Sequence, residues 1–259
     1  MTTLERCLAF VRRLDERCAE RRVPFEHGTA YFCDRLPRVW SLNFLRVESG
    51  AVPEAAELAA EADRVQGDAG LQHRRITIDD DGLGCRLQQG FSQLGWSVGP
   101  LLVMPYRGSG REANCELVRE VDRETLEPVW TAGLDRADWG EDEEAPRQAI
   151  GQRRVIGEAG RARYFAAFVD GRVASYCELY TDGALGQIEG VLTEPEYRGR
   201  GLASAVVTRA RLESEAAGHS LTFLLAEEDD WPKELYAKLG FSPVGRVWEF
   251  LRRPPAPRG

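Results

Sequence analysis

The stretch TEPEYRGRGLASAVVTRA, residues 193–210, places two glycines and two arginines between an apolar run, IEGVL, and a segment of helical character. Main-chain N–H groups at a helix start have no intrahelical acceptor and point outward at the positive end of the helix dipole. Without a Cβ at Gly199 and Gly201, an anion can approach several of them at once, and positive φ is open to both residues. Arg198 and Arg200 add charge. Each charge contact at a helix start is worth about 0.3–1 kcal/mol, and up to about 2 when partly buried, so several amides together can hold a diphosphate. A mononucleotide P-loop needs GxxxxGK[ST], and no lysine follows here. A dinucleotide fingerprint needs a third glycine where Ser204 stands, and an acidic strand end at a distance where none is found. A plain strand-to-helix turn accounts for the glycines but not for the paired arginines.

Around this motif lies a chain of 259 residues, 43% hydrophobic, long enough for one large domain or two ordinary ones. The net charge of −8 argues against a general attraction to nucleic acid or to anionic membrane, so any positive site must be local. Charges run through the N-terminal MTTLERCLAFVRRLDERCAERR where a secretory signal would be apolar, and a cytoplasmic location is expected. The six cysteines form no CxxC pair, which predicts buried reduced thiols and no metal site. The three histidines are isolated and receive no role.

Residues 4–18 carry apolar positions three and four apart, as an amphipathic helix does. A strand is expected at 38–48, a helix at 53–66 with Pro53 in its first turn, a strand at 74–80, a short helix to Leu94 and the strand SVGPLLVM. PYRGSGREAN (105–114) is the best linker. Beyond it come a strand, two helices around the acidic DRADWGEDEE, and a hairpin turning at Asp170-Gly171. The strand LGQIEGVLT, the motif with its helix, SLTFLLAE, a short helix and the closing strand FSPVGRVWEFL follow. RRPPAPRG reads as a disordered tail. FSQLGWSVGPLLVM (91–104) echoes YAKLGFSPVGRVWEFL (236–251). A decayed duplication explains this, and so do two unrelated βαβ pieces with the same glycine cap.

RGRGLA fits R/Q-x-x-G-x-G/A and so resembles the acyl-CoA pyrophosphate loop of the GNAT N-acetyltransferases. LYAKLGF (235–241) resembles that family's later helix-to-strand signature, and the likeness runs from Cys115 to Leu251. It implies an α/β (α+β) fold, a mixed central sheet flanked by helices, over residues 111–252, with a tail at 253–259. Residues 1–110 would form an N-terminal α/β domain that reads as a degenerate repeat, in which Phe91 stands where Tyr236 does and no glycine-arginine loop is present. By the same resemblance the amides of Gly199, Arg200, Gly201, Leu202 and Ala203 take the pyrophosphate of acetyl-CoA, the cosubstrate. Val191, Leu192 and Thr193 meet the pantetheine arm and aim an N–H at the thioester oxygen, and Tyr236 is the general acid. Asp229 stands where many members carry a cofactor-binding Asn, and it lacks the amide donor.

Acyl transfer from a thioester needs a neutral amine, oxyanion stabilisation and protection of the leaving thiolate. An alkylamine of pKa about 10.4 is protonated at neutral pH, and exposing its lone pair costs about 4–5 kcal/mol. Glu189, on the strand that would face the thioester, is the expected base, a solvated strand glutamate being the other reading. The phenol of Tyr236, near pKa 10, is a weaker acid than a thiol near 8.5, so hydrogen bonding alone could serve the thiolate. The acidic stretch at 135–144, with Trp130 and Trp139, could draw a cationic amine, although charge runs are usually solvated faces. The function expected is N-acyl transfer, with acetyl-CoA, to a small-molecule or peptide amine, without metal, nucleic acid or membrane partner. A catalytically silent acyl-CoA sensor is the alternative, and the oligomeric state is not legible.

Overall fold

Apolar residues three and four apart build α1, Thr3–Cys18, with Cys7, Phe10, Leu14 and Cys18 buried and Arg13 and Arg17 exposed. The computed structural model describes residues 1–48, 50, 52–136 and 142–254. After α1 come β1 (Arg21–Phe25), β2 (Gly28–Phe32), β3 (Phe44–Val47), α2 (Ala55–Asp68), β4 (Arg74–Ile78), α3 (Asp81–Gln93) and β5 (Ser97–Pro105). The second half holds β6 (Val118–Val121), α4 (Arg123–Asp135), α5 (Glu144–Ala159), β7 (Arg163–Val169), β8 (Arg172–Asp182) and β9 (Leu185–Thr193). It ends with α6 (Leu202–Ala216), β10 (Leu221–Glu227), α7 (Pro232–Lys238) and β11 (Gly245–Arg252). No helix among the described residues is long and apolar enough to cross a membrane.

The residues fall into two compact units, each assembled from separated segments. The first holds Asp15–Leu102, Glu227–Asp229 and the chain from Gly245, and the second Met1–Leu14, Val103–Ala226 and Asp230–Val244. In the first unit the strand order is β1-β2-β3-β4-β11-β5. The parallel pair β3–β4 is joined through α2, and β11 runs antiparallel to β4, with Trp248 opposite Ile78. The closing strand expected at the C-terminus therefore lies between two others, inside this sheet. Its core combines Leu58 and Ala62 of α2, Phe91 of α3, Ile76 and Ile78 of β4 and Phe250 of β11. The Phe91 and Phe250 rings stack with centroids 4.2 Å apart.

In the second unit β10 has the end of β5 on one side and β9 on the other, followed by β8, β7 and β6. The β7–β8 hairpin turns at Asp170 and Gly171, at φ 49° and 75°, the two positive values that a tight two-residue turn demands. Residues 105–114, expected as a linker, are pinned. Arg107 N–H donates to Gly240 O at 2.8 Å, Arg111 N–H to Lys238 O at 2.9 Å, and a Cβ on Gly110 would lie 2.0 Å from the carbonyl carbon of Leu239.

Several local expectations need correction. Residues 38–48 divide into a 3-10 turn at Trp40–Leu42 and the short β3. Pro53 precedes the N-cap, Glu54, and is outside the first turn of α2. The β1–β2 hairpin was not anticipated, since Arg21, Arg22 and Pro24 obscure its alternation. Cys85 is exposed and Cys115 half-buried, whereas the other four thiols are buried. Within the expected tail, residues 255–259 lie outside the described residues.

One buried charge cluster ties the first unit together. Arg46 of β3, 4% exposed, ion-pairs with both Asp15 and Asp79. Burial pushes the Asp15 carboxyl from 3.8 up to about 6, against the downward pull of Arg46. A carboxyl raised in this way favours the fold when protonated, and that contribution is lost as pH rises through about 6. Replacing the guanidinium leaves two buried carboxylates unbalanced. Arg46→Met is expected to cost about 3–5 kcal/mol at neutral pH in urea unfolding, and the loss should shrink towards pH 5 as Asp15 takes up a proton. A loss constant from pH 7 to pH 5 would refute this account of the cluster.

Candidate functional site

The start of α6 is open. Gly201 is its N-cap, at φ 77° and ψ 7°, with no side-chain cap, and the first helical bond runs from Ala205 N–H to Gly201 O at 3.1 Å. The N–H groups of Gly201, Leu202, Ala203 and Ser204 have no hydrogen-bond acceptor among the described residues. Gly199 is also left-handed, at φ 75°, and a Cβ on either glycine would meet nothing within 4 Å, so the loop faces open space. Arg198 and Arg200 are exposed; their guanidinium groups contact Thr193 O and Glu196 O at 3.3 and 3.5 Å, and Arg200 also lies over the Tyr197 ring, 5.4 Å from its centroid. Neither pairs with a carboxylate among the described residues. The donors that an anion would need are uncommitted.

The first unit lacks this opening. At the start of α2, Glu54 and Glu57 form a capping box: the Glu54 side chain accepts from the Glu57 N–H, and the Glu57 side chain accepts from the Glu54 N–H at 2.8 Å. Two carboxylates thus occupy the place where an anion would bind.

β9 is bent by one glycine. Between Tyr176↔Leu192 and Glu178↔Glu189, β8 advances two residues while β9 advances three, and Gly190 inside this bulge has φ 61°. Pairing with β10 stops at Ile188↔Leu224, although β9 continues to Thr193 and β10 to Glu227. The two parallel strands part there. Val191, Leu192 and Thr193, all half-buried, lie on the stretch of β9 that no longer pairs with β10. The bulge also sets the faces. Gln187, Glu189 and Leu192 lie opposite Tyr180, Glu178 and Tyr176, which alternate along β8 and share one face. α4 and α5 cover that face through Leu126, Trp130 and Ile150. α6 covers the other, where Cys177 Sγ contacts Val206 O at 3.4 Å.

Glu189 is half-buried and accepts from Gln187 Nε2 at 2.6 Å. Tyr236, on α7, is buried, and burial followed by the Glu189 charge pushes its phenol well above the ordinary value of 10. The two expected acid-base groups are thus electrostatically coupled. Asp229 is an exposed turn residue after β10. Of the two tryptophans near the acidic stretch, Trp130 is buried in the cluster under α4, whereas Trp139 and the rest of 137–141 lie outside the described residues.

Sequence reading missed several polar groups on the face with Glu189. Glu178 is buried, paired with Arg153 at 2.7 Å and accepting from Tyr180 Oη at 2.6 Å. Glu194, just past β9, is buried and holds Arg136 at 2.7 Å. Gly190 was the available signal, since a glycine inside a strand pattern marks a bulge.

Residues 123–241 match the family model described as "Acetyltransferase (GNAT) family". Among solved structures, a GCN5-related N-acetyltransferase from Kribbella flavida is similar at TM-score 0.64 and 19% identity, covering 99% of this chain and 96% of that one. A functionally unknown conserved protein from Staphylococcus epidermidis reaches TM-score 0.68 at 12% identity, covering 90% of this chain and 93% of its own. A tandem GNAT protein from the clavulanic acid biosynthesis pathway reaches 0.52 at 18% identity, covering 83% and 74%. No curated protein matches the chain. The family match over residues 123–241, on a mixed sheet flanked by helices as in these structures, supports a GNAT-type domain in that stretch of the chain.

Proposed function

We propose that the second unit is an acyl-CoA-dependent N-acyltransferase that moves acetyl from acetyl-CoA to a primary amine by direct attack in a ternary complex. The observation that carries this reading is the row of four uncommitted N–H groups at the start of α6, beside the parting of β9 from β10. The residues fit a diphosphate: N–H donors, glycines without Cβ and two guanidinium groups not paired with a carboxylate among the described residues. Gly199, Arg200, Gly201, Leu202 and Ala203 would hold it, with Arg198 alongside, while Val191, Leu192 and Thr193 would line the pantetheine arm. Asp229 would add no amide contact. The coenzyme supplies the thioester.

Glu189 lies on the face covered by α4 and α5, so the amine approaches from that side. Its carboxylate takes one proton from the ammonium. The nitrogen lone pair then forms the C–N bond, an N–H from the β9 edge steadies the oxygen as charge builds, and the C–S bond breaks. The second nitrogen proton ends on the thiolate. Tyr236 helps as a hydrogen-bond donor: with its pKa raised, it keeps its proton and stabilises the departing sulfur without full transfer. The first unit, which holds most of residues 1–110, is read as a degenerate copy with a structural part, since its helix start is closed by Glu54. The rival reading, a silent acyl-CoA sensor, retains the loop and has no turnover to lose.

Three variants test the proposal. Gly201→Val forces a β-branched residue to φ 77°, a strain of about 1–3 kcal/mol, and should weaken coenzyme A binding about tenfold or more by calorimetry. Tyr236→Phe should lower kcat about 10- to 100-fold, measured by thiol release, with coenzyme affinity kept; an unchanged rate would remove Tyr236 from the chemistry. Glu189→Gln should lower kcat/KM for the amine about 10²- to 10⁴-fold at pH 7, with the deficit narrowing towards pH 10 as free amine becomes abundant.

A further inference from the structure

Two fully buried oxygens on the amine-facing side of the second unit have no hydrogen donor among the described residues: Glu194 Oε1 and Gln187 Oε1. Glu194 Oε2 is held by Arg136 at 2.7 Å, which fixes where the other oxygen lies. The amide of Gln187 cannot turn over, because its Nε2 donates to Glu189, and so its carbonyl oxygen stays the open acceptor. Both residues are at least nine-tenths buried. Buried polar atoms are almost always satisfied, by protein, water or a ligand, and these two are acceptors open to N–H donors from outside the fold.

The two atoms do not serve one nitrogen. Gln187 and Glu189 precede the Gly190 bulge and Glu194 follows it, so that about four strand steps of roughly 3.3 Å separate Glu189 from Glu194. One end of this row is the base and its glutamine, and the other is a buried carboxylate on the same α4-covered face, next to Tyr176. An acceptor with a single ammonium would satisfy only one end.

Resting on the acyltransferase reading above, we propose that the acceptor is an alkyl diamine. Its reacting amine lies at Glu189 and Gln187, and its second ammonium, which stays charged throughout, donates to Glu194 Oε1. Glu194 is a specificity residue and takes no proton. Arg136 orients it by occupying the other oxygen.

The test compares 1,6-diaminohexane, long enough to bridge the spacing from Glu189 to Glu194 with a hydrogen bond at each end, with n-hexylamine, which has the same carbon chain and lacks the second charge. Binding to the full chain is measured by calorimetry, with and without coenzyme A, and turnover by thiol release from acetyl-CoA. The expected result is a preference for the diamine of tenfold or more in both readouts, collapsing towards unity in Glu194→Gln at an unchanged Tm. Arg136→Gln, which keeps the carboxylate but frees it to turn, should reduce the preference, and it stands as the second variant if Glu194→Gln fails to fold; an undiminished preference there would count against Glu194 as the second anchor. Equal affinity for the two amines in the unaltered chain, or a preference that survives in Glu194→Gln, would overturn the proposal. Diamine preference without coenzyme A binding would instead sink the acyltransferase reading and leave the diamine site standing.

Discussion

The second unit depends on one constraint: a parallel pair of strands that must stop pairing partway along. A continuous β9–β10 ladder would consume the main-chain groups that, on the acyl-CoA reading proposed above, a thioester arm would need, and an unsupported break would leave them exposed at a cost. Gly190 resolves this. By taking φ 61° it inserts one residue into β9, holds the β8 ladder in register on either side, and lets the strand leave β10 after Ile188. A Cβ there would lie 3.1 Å from Glu178 Oε1, so the buried ion pair of Glu178 with Arg153 also favours glycine at this position.

The two halves are alike where packing is at stake and unlike where binding is. α3 and α7 end in the same way, with a left-handed glycine (Gly95, Gly240) and an N–H from the next aromatic residue back to Phe91 O or Tyr236 O, at 3.0 Å in both. Each half also joins a parallel strand pair through one helix. The divergence is local. β3 and β4 remain paired to their last residues, Val47 and Ile78, and the helix that follows β3 is sealed by Glu54 and Glu57. The first half thus has neither a parted strand pair nor an open helix start.

Much of the second unit was legible because its signals are local in sequence. The Asp170-Gly171 turn, the glycines at 199 and 201 and the cap at Gly240 each encode a backbone angle that few other residues adopt. Glu194 was not legible, because what singles it out is an oxygen left without a donor after Arg136 has taken its neighbour, and that depends on how α4 meets the end of β9. The β1–β2 hairpin was hidden by charge on exposed strand positions, and the interior place of β11 by a pairing with β4 across most of the chain. Patterns of period two and three report which face is buried, not which strand lies alongside.

The raised pKa of Tyr236 bears on how the leaving group is handled. An acid that gives up its proton fully must be matched to the thiol, and burial beside the Glu189 charge moves this phenol the other way. The same surroundings penalise a bare thiolate, so the sulfur is best served by a donor that shares its proton and keeps it. On the mechanism proposed above, Glu189 would lose its charge on taking the amine proton and so weaken its own effect on Tyr236 as the C–S bond breaks. On that reading the phenol would become a better donor as the sulfur acquires charge, since a carboxylate and a buried phenol lie within electrostatic reach of each other.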